Sequence, residues 1–161
     1  MAIASVLTDS FKTELMRSGH NFDTAGATPA GSAFKLALYT SSANLGTTTT
    51  VYSATNEITN AAGSAYSAGG KALTNSGVTT STVTSHTDFA DLSVANGTAW
   101  TSASFTTRGC LIYNTTAVSG FTTNRAVCSI DFGGDKTVSN GTFSIEFPTN
   151  SSSAAIIRLT S

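Results

Sequence analysis

The sequence predicts an all-β, single-domain protein: a β-sandwich or jelly roll with a short N-terminal helix or arm. Three observations lead there. Segments in which apolar and polar residues alternate recur from Phe34 to the C-terminus, and a period of two marks a strand with one buried face. Turn-forming residues punctuate them at intervals of about 8–12 residues, the rhythm of sandwiches and small barrels. Ser and Thr supply roughly a third of the 161 residues. Thr is a good strand former, and both hydroxyls can coat a solvent face without charge.

The elements follow in order. Ile3, Leu7, Phe11 and Leu15 recur every fourth residue, so residues 3–18 are expected to form a helix with one apolar stripe. Arg17 falls in its last turn, and Gly19 is the expected left-handed cap. So short a helix must bury its stripe on the domain or on a neighbouring subunit. Residues 19–32, with Pro29 among small residues, read as a loop or extended arm. Residues 1–32 are accordingly expected to form an N-terminal helix and extended arm, and residues 33–161 the β-sandwich or jelly-roll domain.

Phe34, Leu36 and Leu38 alternate with Lys35, Ala37 and Tyr39. Phe89–Leu92 and Phe105–Thr107 are weaker strands. The unbroken apolar run Cys110–Tyr113 suits a strand buried on both faces, and the residues from Arg125 to Phe132 alternate again. Gly133-Gly134 is expected to break that strand. Asn140-Gly141 is expected to turn a hairpin, because a type I′ turn needs positive φ at both central residues. Phe143, Ile145 and Phe147 then form a strand that Pro148 ends, and Ile156, Ile157 and Leu159 close the chain.

Composition narrows function by exclusion. Charged residues are 11% of the chain, with a formal net charge of −1, against about 25% charged residues in an average domain. That is too little positive charge for a nucleic-acid footprint, and no run of about 18 apolar residues suits a membrane span. Intrinsic disorder by charge is excluded by a 40% hydrophobic content. Met1–Leu7 has neither the basic region nor the apolar stretch of a secretory signal, so synthesis in a cytoplasm is expected. Cys110 and Cys128 are too few for a disulfide scaffold and read as small buried hydrophobes, although a bridge between paired strands stays open.

Chemistry is thin. His86 and Asp88 could be drawn into a triad with a serine, but no Gly-x-Ser-x-Gly elbow marks a nucleophile, and a surface or loop pair is expected instead. Cys110, Cys128, His20 and His86 are too scattered for a zinc site, and no calcium loop can be read. Gly69-Gly70-Lys71 lacks the rest of a phosphate loop and reads as a turn before a strand. Asp88 with Asp91, or Asp131 with Glu146, are formal carboxylate pairs that nothing singles out. Trp100 and the tyrosines Tyr39, Tyr52, Tyr66 and Tyr113 could stack on sugar, with core or interface packing the better reading for Trp100. No enzyme activity, cofactor or metal is expected.

The layout resembles a family of small structural proteins from tailed-bacteriophage virions. The blocks that carry it are Met1–Leu7 with Ser10-Phe11-Lys12, Phe34–Ala43, Tyr66–Leu73, Ser104–Asn114, Asp131–Thr137 and Phe143–Pro148. The resemblance implies a virion component at the capsid surface, made in the host cytoplasm. A small low-charge β domain suits a capsid decoration (cement) protein that binds the outer surface of the major capsid protein shell and stabilises the DNA-filled head. Repeated copies would add modest contacts by avidity, and a homo-dimer or trimer is the expected state. The contact candidates are Ile3, Leu7, Phe11, Leu15 and Trp100, so removing residues 1–18 is expected to leave a folded domain that no longer binds. The alternative placement is a head fibre, neck or tail component with host-surface carbohydrate contact. A carbohydrate-binding module and a hydrolase on cell-wall sugar are the readings from other classes.

Overall fold

A computed structural model describes residues 2–59 and 63–161. Its elements are β1 (Val6–Leu7), α1 (Asp9–Met16), β2 (Phe34–Tyr39), β3 (Lys71–Leu73), β4 (Asn75–Ser81), β5 (Thr84–Phe89), β6 (Trp100–Asn114), β7 (Arg125–Phe143) and β8 (Ile157–Thr160). The expected class is what the chain forms: a mostly-β protein with one short N-terminal helix. Strands β1-β7-β6-β2-β3 make a five-stranded sheet and β4-β5-β8 a three-stranded one, with every strand pairing antiparallel.

The centre of the larger sheet is buried on both faces, as the apolar run at Cys110–Tyr113 predicts. Leu36, Leu38, Cys110 and Ile112 point into the main cluster with Phe11, Phe22, Phe89 and Trp100. Ala37, Tyr39, Leu111 and Tyr113 point the other way, under Ile3, Ala43 and Leu45. A strand reads as continuously apolar only when both sides are covered.

The N-terminal expectations change most. The helix covers only Asp9–Met16, because Thr8 caps it: its hydroxyl oxygen accepts from Phe11 N at 3.3 Å. The same hydroxyl donates to the Ala126 carbonyl at 3.2 Å, which pins the cap to β7. Upstream of a fixed cap the chain is extended, so Val6 and Leu7 pair with Ser129 and Cys128 as an edge strand. At the other end Ser18, not Gly19, takes the left-handed conformation, with φ 61°. The expected arm is not detached. Phe22 stacks on Phe34 with ring centroids 4.6 Å apart, and the core draws on Ile3, Phe11 and Phe22 alike.

Two punctuation marks also act differently. Asn140-Gly141 turns no hairpin: Asn140 has φ 45°, yet β7 continues through it, with Gly141 opposite Ala103 and Val138 opposite Phe105. The positive φ is spent on a bulge, which bends a strand without ending it. Gly133-Gly134 likewise sits in a bulge of the same strand, between the pairs Gly109–Asp131 and Thr107–Lys136. Beyond Phe143 the chain stays extended but makes a single bridge, where Ile145 and Leu92 exchange backbone hydrogen bonds of 2.9 Å.

Candidate functional site

The five expected contact residues lie inside the chain's own packing. Phe11 and Trp100 are 1% and 2% exposed, and Ile3 is buried under the second cluster. Leu7 and Leu15 are partly buried against the main core. The apolar stripe that predicts a docking helix is instead divided between an extended segment and a buried helix face. Trp100 packs edge-on against Phe105 and Phe143 and stacks on Tyr66.

The chemical candidates are also occupied. His86 and Asp88 form neither a surface pair nor a loop: both are buried on β5, where His86 is paired with Thr79 on β4 and Arg158 on β8. The Asp88 carboxylate accepts from Phe89 N at 2.8 Å and Ile156 N at 3.2 Å, so it ties the C-terminal segment to the smaller sheet. Burial pushes its pKa up, against those two bonds. Asp131 is held by a forked bond to Arg108, with Nε to Oδ1 at 2.7 Å and Nη2 to Oδ2 at 3.3 Å. That bond holds its carboxyl below the usual range. Cys110 and Cys128 are free thiols, both pushed up by burial, Cys128 to about 12. They are therefore inert as nucleophiles. Gly70 turns the chain into β3 with φ 68°, and a Cβ there would come within 1.8 Å of the Leu36 carbonyl oxygen. This close backbone approach accounts for Gly70, and Gly69 beside it has φ 86°.

Of the aromatic residues proposed for sugar stacking, Trp100, Tyr39, Tyr66 and Tyr113 are buried. Tyr52 is half-buried and stacked on Tyr113, with centroids 4.7 Å apart. The carbohydrate reading loses its platform.

Two buried polar clusters went unread in the sequence. Glu57 accepts from Tyr52 Oη and Tyr66 Oη at 2.6 Å each and from Gly69 N at 2.7 Å. It clips the segment before β3 onto the sheet, and burial raises the hydroxyls of the four tyrosines around it, Tyr39, Tyr52, Tyr66 and Tyr113, the last to about 12. The signal was available: Glu57 is the only charged residue between Lys35 and Lys71, and a solitary acid in an apolar and hydroxyl-rich stretch marks an internal acceptor. The second cluster is centred on His20. Its Nε2 lies 2.8 Å from Glu14 Oε2 and its Nδ1 3.1 Å from Asn114 Nδ2. With Nδ1 accepting the Asn114 amide, Nε2 carries the proton and donates to Glu14. Arg125 Nη2 donates to the Gly19 carbonyl at 2.6 Å, and its guanidinium lies 5.3 Å from the Phe121 ring centroid. This cluster ties the end of α1 to β6 and β7.

The feature that faces outward is apolar. A trough of about 620 Å³ runs along the outer half of β7, lined by Ile130, Phe132, Phe143, Ile145, Phe147 and Ile156. A second hollow of about 270 Å³ beside β1 shares Ile130 and Ile156 with it. The trough-lining Ile130, Phe132, Phe143, Ile145 and Phe147 are half-buried, unlike the sealed centre of the sheet. Lys136 and Glu146 also line the trough. Among the described residues neither makes a salt bridge, whereas Arg108, Arg125 and Lys12 each do. Comparisons with protein-family models, curated proteins and solved structures found no match to this chain.

Proposed function

We propose that the chain is a structural component of a tailed-bacteriophage virion. In this reading it is a capsid decoration protein that binds the outer surface of the major capsid protein shell and stabilises the DNA-filled head. One observation carries the reading: the groups capable of chemistry are spent internally. Glu57, His20, Arg125 and Asp88 each tie a loop or terminus to the sheets, while the solvent face is mostly Ser and Thr with scattered single charges such as Lys12, Asp135, Glu146 and Arg158. Such a molecule is built to be rigid and to lie against other protein. The resemblance of the chain's layout to small virion proteins is in keeping with this reading.

Because Ile3, Phe11 and Trp100 are buried, contact with a shell falls to surfaces formed after folding rather than to an N-terminal arm. Purified chain added to heads that lack it is expected to bind saturably and to raise the temperature at which those heads release DNA. Heads that take up none of it, with unchanged release temperature, would overturn the proposal.

A further inference from the structure

We infer that Asn140 is a site of spontaneous modification, where the side-chain amide closes on the Gly141 nitrogen and is converted to aspartate and isoaspartate. The chain holds two identical triplets of this kind, Asn96-Gly97-Thr98 and Asn140-Gly141-Thr142. A glycine after asparagine brings no Cβ to hinder the attacking nitrogen, so both triplets are reactive by sequence. Both asparagines are also exposed. The fold decides between them.

At Asn96 both reacting groups are held. Its Nδ2 donates to the Asp91 carbonyl at 2.9 Å, and Gly97 N, the nucleophile, donates to the Val94 carbonyl at 3.0 Å. Asn96 N donates to Ser93 Oγ at 3.3 Å, which fixes the turn between them. At Asn140 the backbone N donates to Ser104 Oγ at 2.9 Å, but the side-chain amide makes no hydrogen bond among the described residues. The pair Ala103–Gly141 has register shifts on both sides, so the nucleophile sits where the bulge has already loosened the ladder.

The fold also requires this pair of residues. Asn140 has φ 45°, which asparagine tolerates better than most side chains, and a Cβ at Gly141 would press on Val138 Cγ2 at 3.1 Å. The residues that shape the bulge are the two that react.

The chemistry balances with water alone. Solvent base takes the Gly141 amide proton and the nitrogen attacks Asn140 Cγ. The N–Cγ bond forms, the Cγ–Nδ2 bond breaks, and Nδ2 leaves as ammonia from a closed succinimide ring. Water then opens the ring at Cγ, giving aspartate, or at the Asn140 backbone carbonyl, giving isoaspartate. Either product adds one negative charge to a chain of net charge −1.

The test is peptide mapping by mass spectrometry, with isoelectric focusing, of the full native chain and of Asn140→Gly stored at neutral pH. Native chain held in urea is mapped beside them, and Asn96 is the internal reference. Glycine adopts the left-handed φ without steric cost, so the variant keeps the bulge. In the folded chain Asn140 is expected to convert at least about tenfold faster than Asn96, since each of the two bonds held by Asn96 and Gly97 is worth a factor of roughly five. In urea the two sites should convert at similar rates. A more acidic species should accumulate in the folded native chain and stay minor in Asn140→Gly. Asn96 converting as fast as Asn140 in the folded chain would overturn the inference. So would an Asn140 that keeps its amide in the folded chain, or the same preference for Asn140 in urea.

Discussion

His20 shows how one residue couples the fold to its solvent. Burial holds its imidazole below the ordinary 6.5; the Glu14 contact opposes that and the Arg125 charge adds to it. The folded chain therefore keeps His20 neutral where the unfolded chain takes up a proton. By linkage, the stability this supplies is complete above pH 6.5 and is lost as pH falls below it. Urea denaturation of the native chain and of His20→Gln is expected to show a loss between neutral and mildly acidic pH that is smaller in the variant. Equal slopes would remove the assignment. Phe11 and Trp100 make the same scale visible through packing. Both are fully buried among aromatic neighbours, so Phe11→Ala or Trp100→Ala is expected to cost about 3–5 kcal/mol in the same denaturation assay. A cost below about 1 kcal/mol, the range of surface positions, would mean that these side chains are not the core anchors described.

At the scale of elements, the apolar strands were legible, whereas β1, the Thr- and Ser-rich β4 and most of β5, and the connections, were not. Alternation located β2 and the first half of β7, and the unbroken run at Cys110–Tyr113 marked the doubly covered centre, because burial on one face or two writes itself into periodicity. The expected helix was too long because a spacing of four cannot tell a helical stripe from an extended stretch whose residues meet different neighbours. Thr8 decides the matter through its bond to Ala126, which lies far off in sequence. Asn140-Gly141 misled for a similar reason: positive φ serves a bulge as well as a turn, and only the partner strand distinguishes them. Two outcomes follow. Removing residues 1–18 strips β1, the cap and Phe11 from the core, so the truncated chain is expected to lose its cooperative thermal transition rather than persist as a folded domain. Asn140→Val is expected to cost about 1–2 kcal/mol in thermal denaturation, since a β-branched residue resists left-handed φ. Asn140→Gly should cost little.

At the scale of the whole molecule, the candidate site was the least legible part. The five residues chosen for contact were the most apolar of their segments, and strong apolarity is what the core claims first. The trough is built from Ile130, Phe132, Phe143, Ile145 and Phe147, which read as ordinary strand residues. Only the fold reveals that they stay half-buried around one trough beside the core. Low charge takes on a sharper meaning here. With 11% charged residues, several of them locked inside, the surface has little to repel a neighbouring protein, and near-neutral chains associate readily. That suits a component repeated over a shell, where modest contacts add by avidity.

The central claim is that this chain decorates a capsid, and an electron-microscopy map of the intact particle tests it most directly. The account predicts density for this fold at hundreds of symmetry-related positions on the outer face of the head, a copy number set by shell symmetry. About 3 to 12 copies confined to a neck or tail, as cyclic assemblies have there, or no density for the fold in any particle, would contradict it.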